Sequence, residues 1–487
     1  MTTYRVARRG LFLLAVLICL VWPAITQAQP TDGRLIVAPD GDYTTIESAL
    51  SAADSGDVIE VRSGIYAAPL IIEKSVSLVG VGQPVIDGHG SGSLVIIAAP
   101  DTRFEGFVVR GSGENLNHED TGIVIQAPRV TVANNRIEDV LFGIYFAKAN
   151  EGSASHNSVE CKDRELGLRG DSIRVWYSSD VTLTGNEVNR CRDTLIWYAQ
   201  NITIENNRIR DSRYGLHFMY SSGAQVENNT VEGNSVGSYL MYSQHLTMSG
   251  NHMLWNRGPS GYGIALKEMD YVTLQDNVLV GNRAGLYIDD SPALVDINNF
   301  VTGNFFAYND IGIAALPSTE SNIFQANTFL ENNQQISVLG RGNLLENTWN
   351  QAGIGNYWSD YVGYDGDNDG IGDLPYRAEQ LFESLTDSEP VLRLFAFSPA
   401  RQALDFAGSA FPSLRPDPKV IDEAPMMHYT LPAAVEGGSP QSVSLPLLAA
   451  TLLLVGIGGV ICVSAWRGRV PQRVATTQHR NTVQAGI

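Results

Sequence analysis

The sequence predicts an all-β chain wound as a right-handed parallel β-helix, a solenoid with an N-terminal helical cap and a C-terminal transmembrane helix. Three observations carry this. Asparagine returns every 20–29 residues, at Asn135, Asn157, Asn186, Asn207, Asn229, Asn251, Asn277, Asn304, Asn327 and Asn347. A short alternating run precedes each, as in Val181-Thr182-Leu183 and Ile202-Thr203-Ile204. A second run follows about a dozen residues later, led by Gly143, Ser172, Thr194, Gly215, Gly237, Gly263, Gly285 and Gly312. Short period-two strands joined by Gly/Asn turns and repeating near 22 residues read as a solenoid. The Leu framework of leucine-rich repeats is absent, and propeller blades need about 40 residues. Asparagine at a fixed turn favours left-handed backbone and can stack on the next coil's asparagine.

The elements follow in chain order. Residues 1–28 read as a signal peptide: Arg5, Arg8 and Arg9 precede the apolar Leu11 to Trp22, and Thr26-Gln27-Ala28 is an acceptable cleavage site. Thr44 to Ala53 reads as a short amphipathic helix that caps the exposed strand edges of the first coil. The coils occupy 34–360, an Asp/Gly loop and extension 361–427, and a polar linker 428–444. Leu445 to Trp466 carries no charge and is long enough to span a ~30 Å hydrocarbon layer. Arg467, Arg469 and Arg473 in the tail, 467–487, hold that side in the cytoplasm. The bulk of the chain is therefore expected outside the cytoplasm, in the periplasm or on an outer face, anchored by its C-terminal helix.

Seven basic residues belong to the two ends, which leaves 26 bases against 52 acids in the middle, a charge of −26. A domain so acidic offers no basic footprint for nucleic acid. Its 44% hydrophobic content still supports a core.

Aligning four second runs separates inward from outward positions. Val175, Ile196, Phe218 and Leu240 form one inward column, and Ile173, Thr194, Leu216 and Ser238 another. Tyr177, Tyr198, Tyr220 and Tyr242 form a further column of the same parity. The intervening columns face out: Arg174, Leu195, His217 and Tyr239, then Trp176, Trp197, Met219 and Met241, followed by Lys267 and Asp289. Met248 and Met253 align with Val226 and Val231 and read as core. Two Trp and two Met stacked ~4.8 Å apart make an outward apolar strip. Three readings stay open for it: a loop or the C-terminal segment covers it; Trp176, Trp197, Met219 and Met241 dock a partner; or Met219, Met241 and His217 hold Cu(I), which suits thioethers.

Cys161 and Cys191 fall at nearly equivalent places on adjacent coils, within disulfide reach, in a compartment that permits the bond. A thiolate copper site is the alternative. Asp365, Asp367, Asp369 and Asp373 alternate oxygen ligands around Gly370, a spacing that suits Ca²⁺, although Tyr376 stands where an EF-hand has its bidentate Glu.

Gly355-Asn356-Tyr357-Trp358-Ser359-Asp360-Tyr361, with Leu374-Pro375-Tyr376 behind it, resembles the NosD maturation proteins of nitrous oxide reductase. So do Arg213-Tyr214-Gly215-Leu216-His217-Phe218-Met219-Tyr220-Ser221, Leu240-Met241-Tyr242-Ser243, and the tail from Pro390-Val391-Leu392-Arg393 through Gln402-Ala403-Leu404-Asp405-Phe406 to Pro425. The resemblance spans about residues 34–427. It implies a periplasmic β-helix of denitrification that works with the ATPase and membrane subunits of an ABC transporter. The assembly it implies helps build the copper–sulfur centres of nitrous oxide reductase, takes copper from a lipoprotein chaperone, and requires no catalysis by this chain. The Met219 and Met241 ladder then becomes the candidate copper-handling or chaperone-docking face. The anchor at 445–466 departs from the family pattern, which ends near Met426-Met427.

Two other classes compete. A β-helix polysaccharide lyase or epimerase needs an outward carboxylate cluster, and Asp289-Asp290 is the one Asp pair in the coils. A charge of −26 repels uronates. A structural or carbohydrate-binding surface protein has no need of stacked thioethers.

Overall fold

The computed structural model describes residues 34–432, and residues through Tyr429 cluster as one compact unit. Three parallel sheets run along a solenoid. The first has 13 strands, Arg34–Val37 to Asn322–Gln325; the second 12, Leu70–Ile72 to Gln334–Val338; the third 13, Ile65–Ala67 to Tyr357–Trp358. Each full coil contributes one short strand to each sheet, so every strand inside a sheet pairs with the coil before and the coil after. The only antiparallel ladder among the described strands joins Tyr376–Arg377 to Ile421–Asp422 in the C-terminal extension.

Alternation builds the core. Val175, Ile196, Phe218 and Leu240 lie in register on the second sheet and are fully buried. Met248 pairs with Val226 and Met253 with Val231, both inside the core. Helix α1, Ile46–Ala52, begins at Thr45, whose side chain accepts from Ser48 N at 3.2 Å. It buries Ile46, Ala49 and Leu50 against the first strands.

The turns between first and third sheets carry a ladder of buried asparagines. The amide of Asn207 donates to Asn229 Oδ1 through both its backbone N and its Nδ2, each at 2.9 Å. The same pair of bonds links Asn135, Asn157, Asn186, Asn207, Asn229, Asn251, Asn277, Asn304, Asn327 and Asn356. Two expectations need correction. The last rung is Asn356; Asn347 instead receives from Asn322, on a different turn. From Asn135 to Asn327 the left-handed residue is the one before the ladder asparagine, as at Asn134, Asn206 and Asn228. That residue turns the chain, and the next one points its amide inward.

A second long ladder, absent from the sequence reading, joins Asn234, Asn256, Asn282, Asn309 and Asn332 at the turn between third and second sheets.

The tyrosine column is also corrected. Tyr177, Tyr198, Tyr220 and Tyr242 all have φ near +50°. That flip breaks the parity, so the rings stand outside and stack on one another at 4.7, 5.1 and 5.1 Å.

The extension folds helices α2, Leu381–Ser388, and α3, Pro399–Ala410, beside the last coils. The core ends in a column of rings, Phe306, Phe329, Trp358 and Tyr376, spaced 5.0, 4.3 and 4.2 Å. Among the described residues no helix is long and apolar enough to cross a membrane. The expected signal peptide (1–28), the span (445–466), the tail (467–487) and most of the linker lie outside the described residues.

Candidate functional site

The candidate residues lie on the outer face of the second sheet. Its strands Ile173–Trp176, Asp193–Trp197, Tyr214–Met219 and Val236–Met241 place Trp176, Trp197, Met219 and Met241 on one register line, continued by Lys267 and Asp289. Met219 and Met241 are direct cross-strand partners outside the hydrophobic core. The strip is half-buried rather than open, because the flipped tyrosines lean on it. Tyr177 meets Trp176 edge-on at 4.9 Å, Lys148 sits 5.5 Å above that indole, and Tyr198 lies 5.6 Å from Trp197.

The neighbouring column departs further from the expectation of exposure. Arg174, Leu195 and His217 are 7%, 6% and 7% exposed. Ion pairs and rings cover them. Arg174 binds Asp171 at 2.7 Å and Glu119 at 2.5 Å, and Arg192 closes on Asp171 at 2.8 Å. One coil on, Asp193 accepts from Arg213 Nε at 2.9 Å and faces His217 Nδ1 at 3.2 Å. Burial pushes the Asp193 carboxyl up, but hydrogen bonds from His217 and Arg213 outweigh it and hold the group below the usual carboxylate range. Tyr214 packs edge-on against His217 at 4.9 Å and against Tyr239 at 5.3 Å.

A carboxylate on Nδ1 keeps the proton there in the neutral ring and leaves the Nε2 lone pair free. His217 Nε2 and the nearby Trp197 Nε1 are buried without a partner among the described residues. His217 lies two residues before Met219, hence on the same face ~7 Å along the strand. A buried imidazole oriented by a carboxylate, with thioethers beside it, fits the ligand preferences of Cu(I).

Cys161 and Cys191 are joined, with Cα atoms 5.0 Å apart, and both are buried in the core, so their thiolates are unavailable to copper. In the acidic loop Asp365, Asp367 and Asp369 bring carboxylate oxygens within 4.8 Å of one another. Asp373 turns away to accept from Gly366 N at 2.9 Å. Sequence reasoning used the extension only for its family resemblance and assigned no site there, yet Leu394, Phe397 and Phe406 are 82%, 86% and 72% exposed. Their only sequence signal is large apolar residues without a helical stripe.

Fold and site define the class: a parallel β-solenoid that presents sulfur, indole and one oriented imidazole on an outer sheet face. Comparison with known proteins gives its family. Residues 154–363 match the family model described as periplasmic copper-binding protein (NosD). A probable ABC transporter binding protein NosD of Pseudomonas aeruginosa is 34% identical, over 87% of this chain and 96% of its own. The protein of the same description in Stutzerimonas stutzeri is 31% identical, over 85% and 93%. The chain belongs to the NosD family. Among solved structures, the A-module of the Azotobacter vinelandii mannuronan C-5 epimerase AlgE4 superposes with a TM-score of 0.50 at 15% identity, covering 63% of this chain and 93% of that one. That likeness is one of fold.

Proposed function

We propose that this chain is the extracytoplasmic, non-catalytic subunit of an ABC-transporter assembly that supplies copper, or copper with sulfur, to the metal centres of nitrous oxide reductase. The family's description as periplasmic and copper-binding, and the relatives' description as transporter-binding, support it. The observation that carries the copper step is the Met219–Met241 pair beside His217, whose Nδ1 is held by Asp193 and whose Nε2 is free. The cation is cargo: thioethers and one imidazole bind Cu(I) and release it to a better donor set. A lipoprotein copper chaperone docks over Trp176, Trp197, Met219 and Met241.

Under anaerobic chelator competition the full chain binds Cu(I), and Met219→Leu with Met241→Leu, or His217→Gln alone, weakens binding at least about tenfold, ~1.4 kcal/mol. Unchanged affinity in both variants would remove the site. Calcium is proposed at Asp365, Asp367 and Asp369, with Asp373 left to the turn. Millimolar Ca²⁺ then raises the melting temperature of wild type but not of Asp365→Asn plus Asp369→Asn; equal shifts in both count against it.

The enzyme reading finds less on the same face. Asp289 is tied to Lys267 at 3.2 Å, and burial, with Asp289 beside it, pushes the Tyr287 hydroxyl up and away from use as a base near neutral pH.

A further inference from the structure

The extension does not seal against the coils. A cavity of about 430 Å³ separates α2 and the residues before α3 from the turns of the last coils. Four arginines line it, Arg257 and Arg283 from the coils and Arg393 and Arg401 from the extension, against two acids, Asp310 and Glu383. Such an excess of cations is unusual in a chain of charge −19.

The four are not equivalent. Arg257 is satisfied by both oxygens of Asp310, at 2.8 and 2.7 Å. Arg401 is shared between Asp405 at 3.5 Å and Glu383 at 3.8 Å. Arg283, among the described residues, bonds only the Pro259 carbonyl and has no carboxylate. Arg393 donates to Ser337 Oγ at 3.0 Å, stands 4.0 Å from Asp387, and keeps its Nε buried with no partner. A buried guanidinium N–H without an acceptor is costly. Desolvation lowers the Arg393 pKa, Asp387 offsets part of that, and the neighbouring Arg283 charge lowers it again, so the guanidinium keeps a net deficit of negative partners. Burial holds Glu383 up at about 7, which withdraws negative charge from the wall.

An oxyanion between Arg283 and Arg393 supplies the missing acceptor and balances both charges. Phe397 lines the same cavity and is 86% exposed, with Leu394 three residues away at 82%. Guanidinium inside and apolar side chains at the mouth match a phosphate group that carries acyl chains.

We propose that this cavity binds a phosphate group, presented by an anionic phospholipid or as the free ion, through Arg283 and Arg393. The site is separate from the copper strip and stands whether or not copper binds there.

The test uses the full chain in a neutral detergent and chloride buffer, with thermal unfolding as readout. Inorganic phosphate, dioctanoylphosphatidylglycerol and dioctanoylphosphatidylcholine are titrated in parallel. Phosphatidylglycerol is expected to raise the wild-type midpoint by at least about 2 °C. A response at a concentration at least tenfold below that of inorganic phosphate identifies a lipid headgroup; a response at equal concentration identifies the free ion. Arg283→Gln and Arg393→Gln lose the response. Arg283→Gln leaves the Ser337 contact intact, so it reads the site even if Arg393→Gln unfolds. No shift in wild type, an equal shift with phosphatidylcholine, or an undiminished shift in Arg283→Gln overturns the proposal.

Discussion

Each asparagine of the long ladder does four jobs with one side chain. Asn229 accepts from the backbone N and Nδ2 of Asn207, and donates to the Ile204 carbonyl and to Asn251 Oδ1, all at 2.9 Å. Its burial is complete, so no water replaces a lost partner. Asn229→Ala takes the acceptor from the Asn207 backbone N–H, one acceptor from the Asn207 amide, and the side-chain donor from the Ile204 carbonyl. The expected loss is ~2–4 kcal/mol, read as a lower urea midpoint. Asn206→Ala one turn back places Ala at φ 56° on an exposed turn and should cost only ~1 kcal/mol. Equal effects at the two positions would mean that backbone geometry, not the amide ladder, stabilises the turn. At this scale the period in the sequence identified the asparagines but not their conformation, because spacing is the same whether the rung or its predecessor is left-handed. His217 shows the same limit. Its column was legible from alternation, whereas its burial depends on Asp193, Arg213 and Tyr214 on other parts of the coil.

At the scale of elements, helix α2 concentrates the strongest electrostatics of the extension. Glu383 lies in it, fully buried beside Lys419 at 3.6 Å and Arg401 at 3.8 Å. Burial raises its carboxyl from about 4.5 to about 7, more than Lys419 and Arg401 lower it. The folded form therefore holds a proton that the unfolded form has already released between those two values. Stability contributed there is full below about 4.5 and is lost as pH rises through about 7, by up to ~3 kcal/mol. Glu383→Gln removes that slope. Melting temperatures of wild type and variant from pH 4 to 8 should diverge in the variant's favour as pH rises; parallel curves would contradict the assignment. The disulfide is the element that adjacency predicts best, since Cys161 and Cys191 needed only equivalent places on neighbouring coils. The extension had no such signal: α2 packs on the strand Gln334–Val338, more than 40 residues away in sequence, α3 packs on α2, and a single short helix has no repeat to align.

Across the whole molecule, a solenoid must end its ladders as well as extend them. Asp422, wholly buried in the extension, accepts from Asn356 N at 2.7 Å and from Trp358 Nε1 at 3.0 Å. It gives the last asparagine rung the acceptor that no further coil provides. Burial pushes its carboxyl up, and the hydrogen bonds from Trp358, Asn356 and Ala424 offset part of that. Asp422→Ala should fray the chain from its C-terminal end. Hydrogen exchange would rise at Tyr357 and Trp358 while Phe218 and Leu240, mid-rod, stay protected; Asp422→Asn keeps an acceptor and most of the protection. Uniform loss of protection along the rod would show instead that the coils unfold as one unit.

Repetition makes the architecture legible in the sequence alone: a solenoid writes its period, its inward parity and its neighbouring coils into the order of residues, because each contact recurs one coil later. Tertiary structure decided everything that happens once. It set which residue of each turn flips, which outward side chains become covered, and how arginines 257 and 283 meet arginines 393 and 401 around one cavity, since contacts between distant, non-repeating segments leave no period to align.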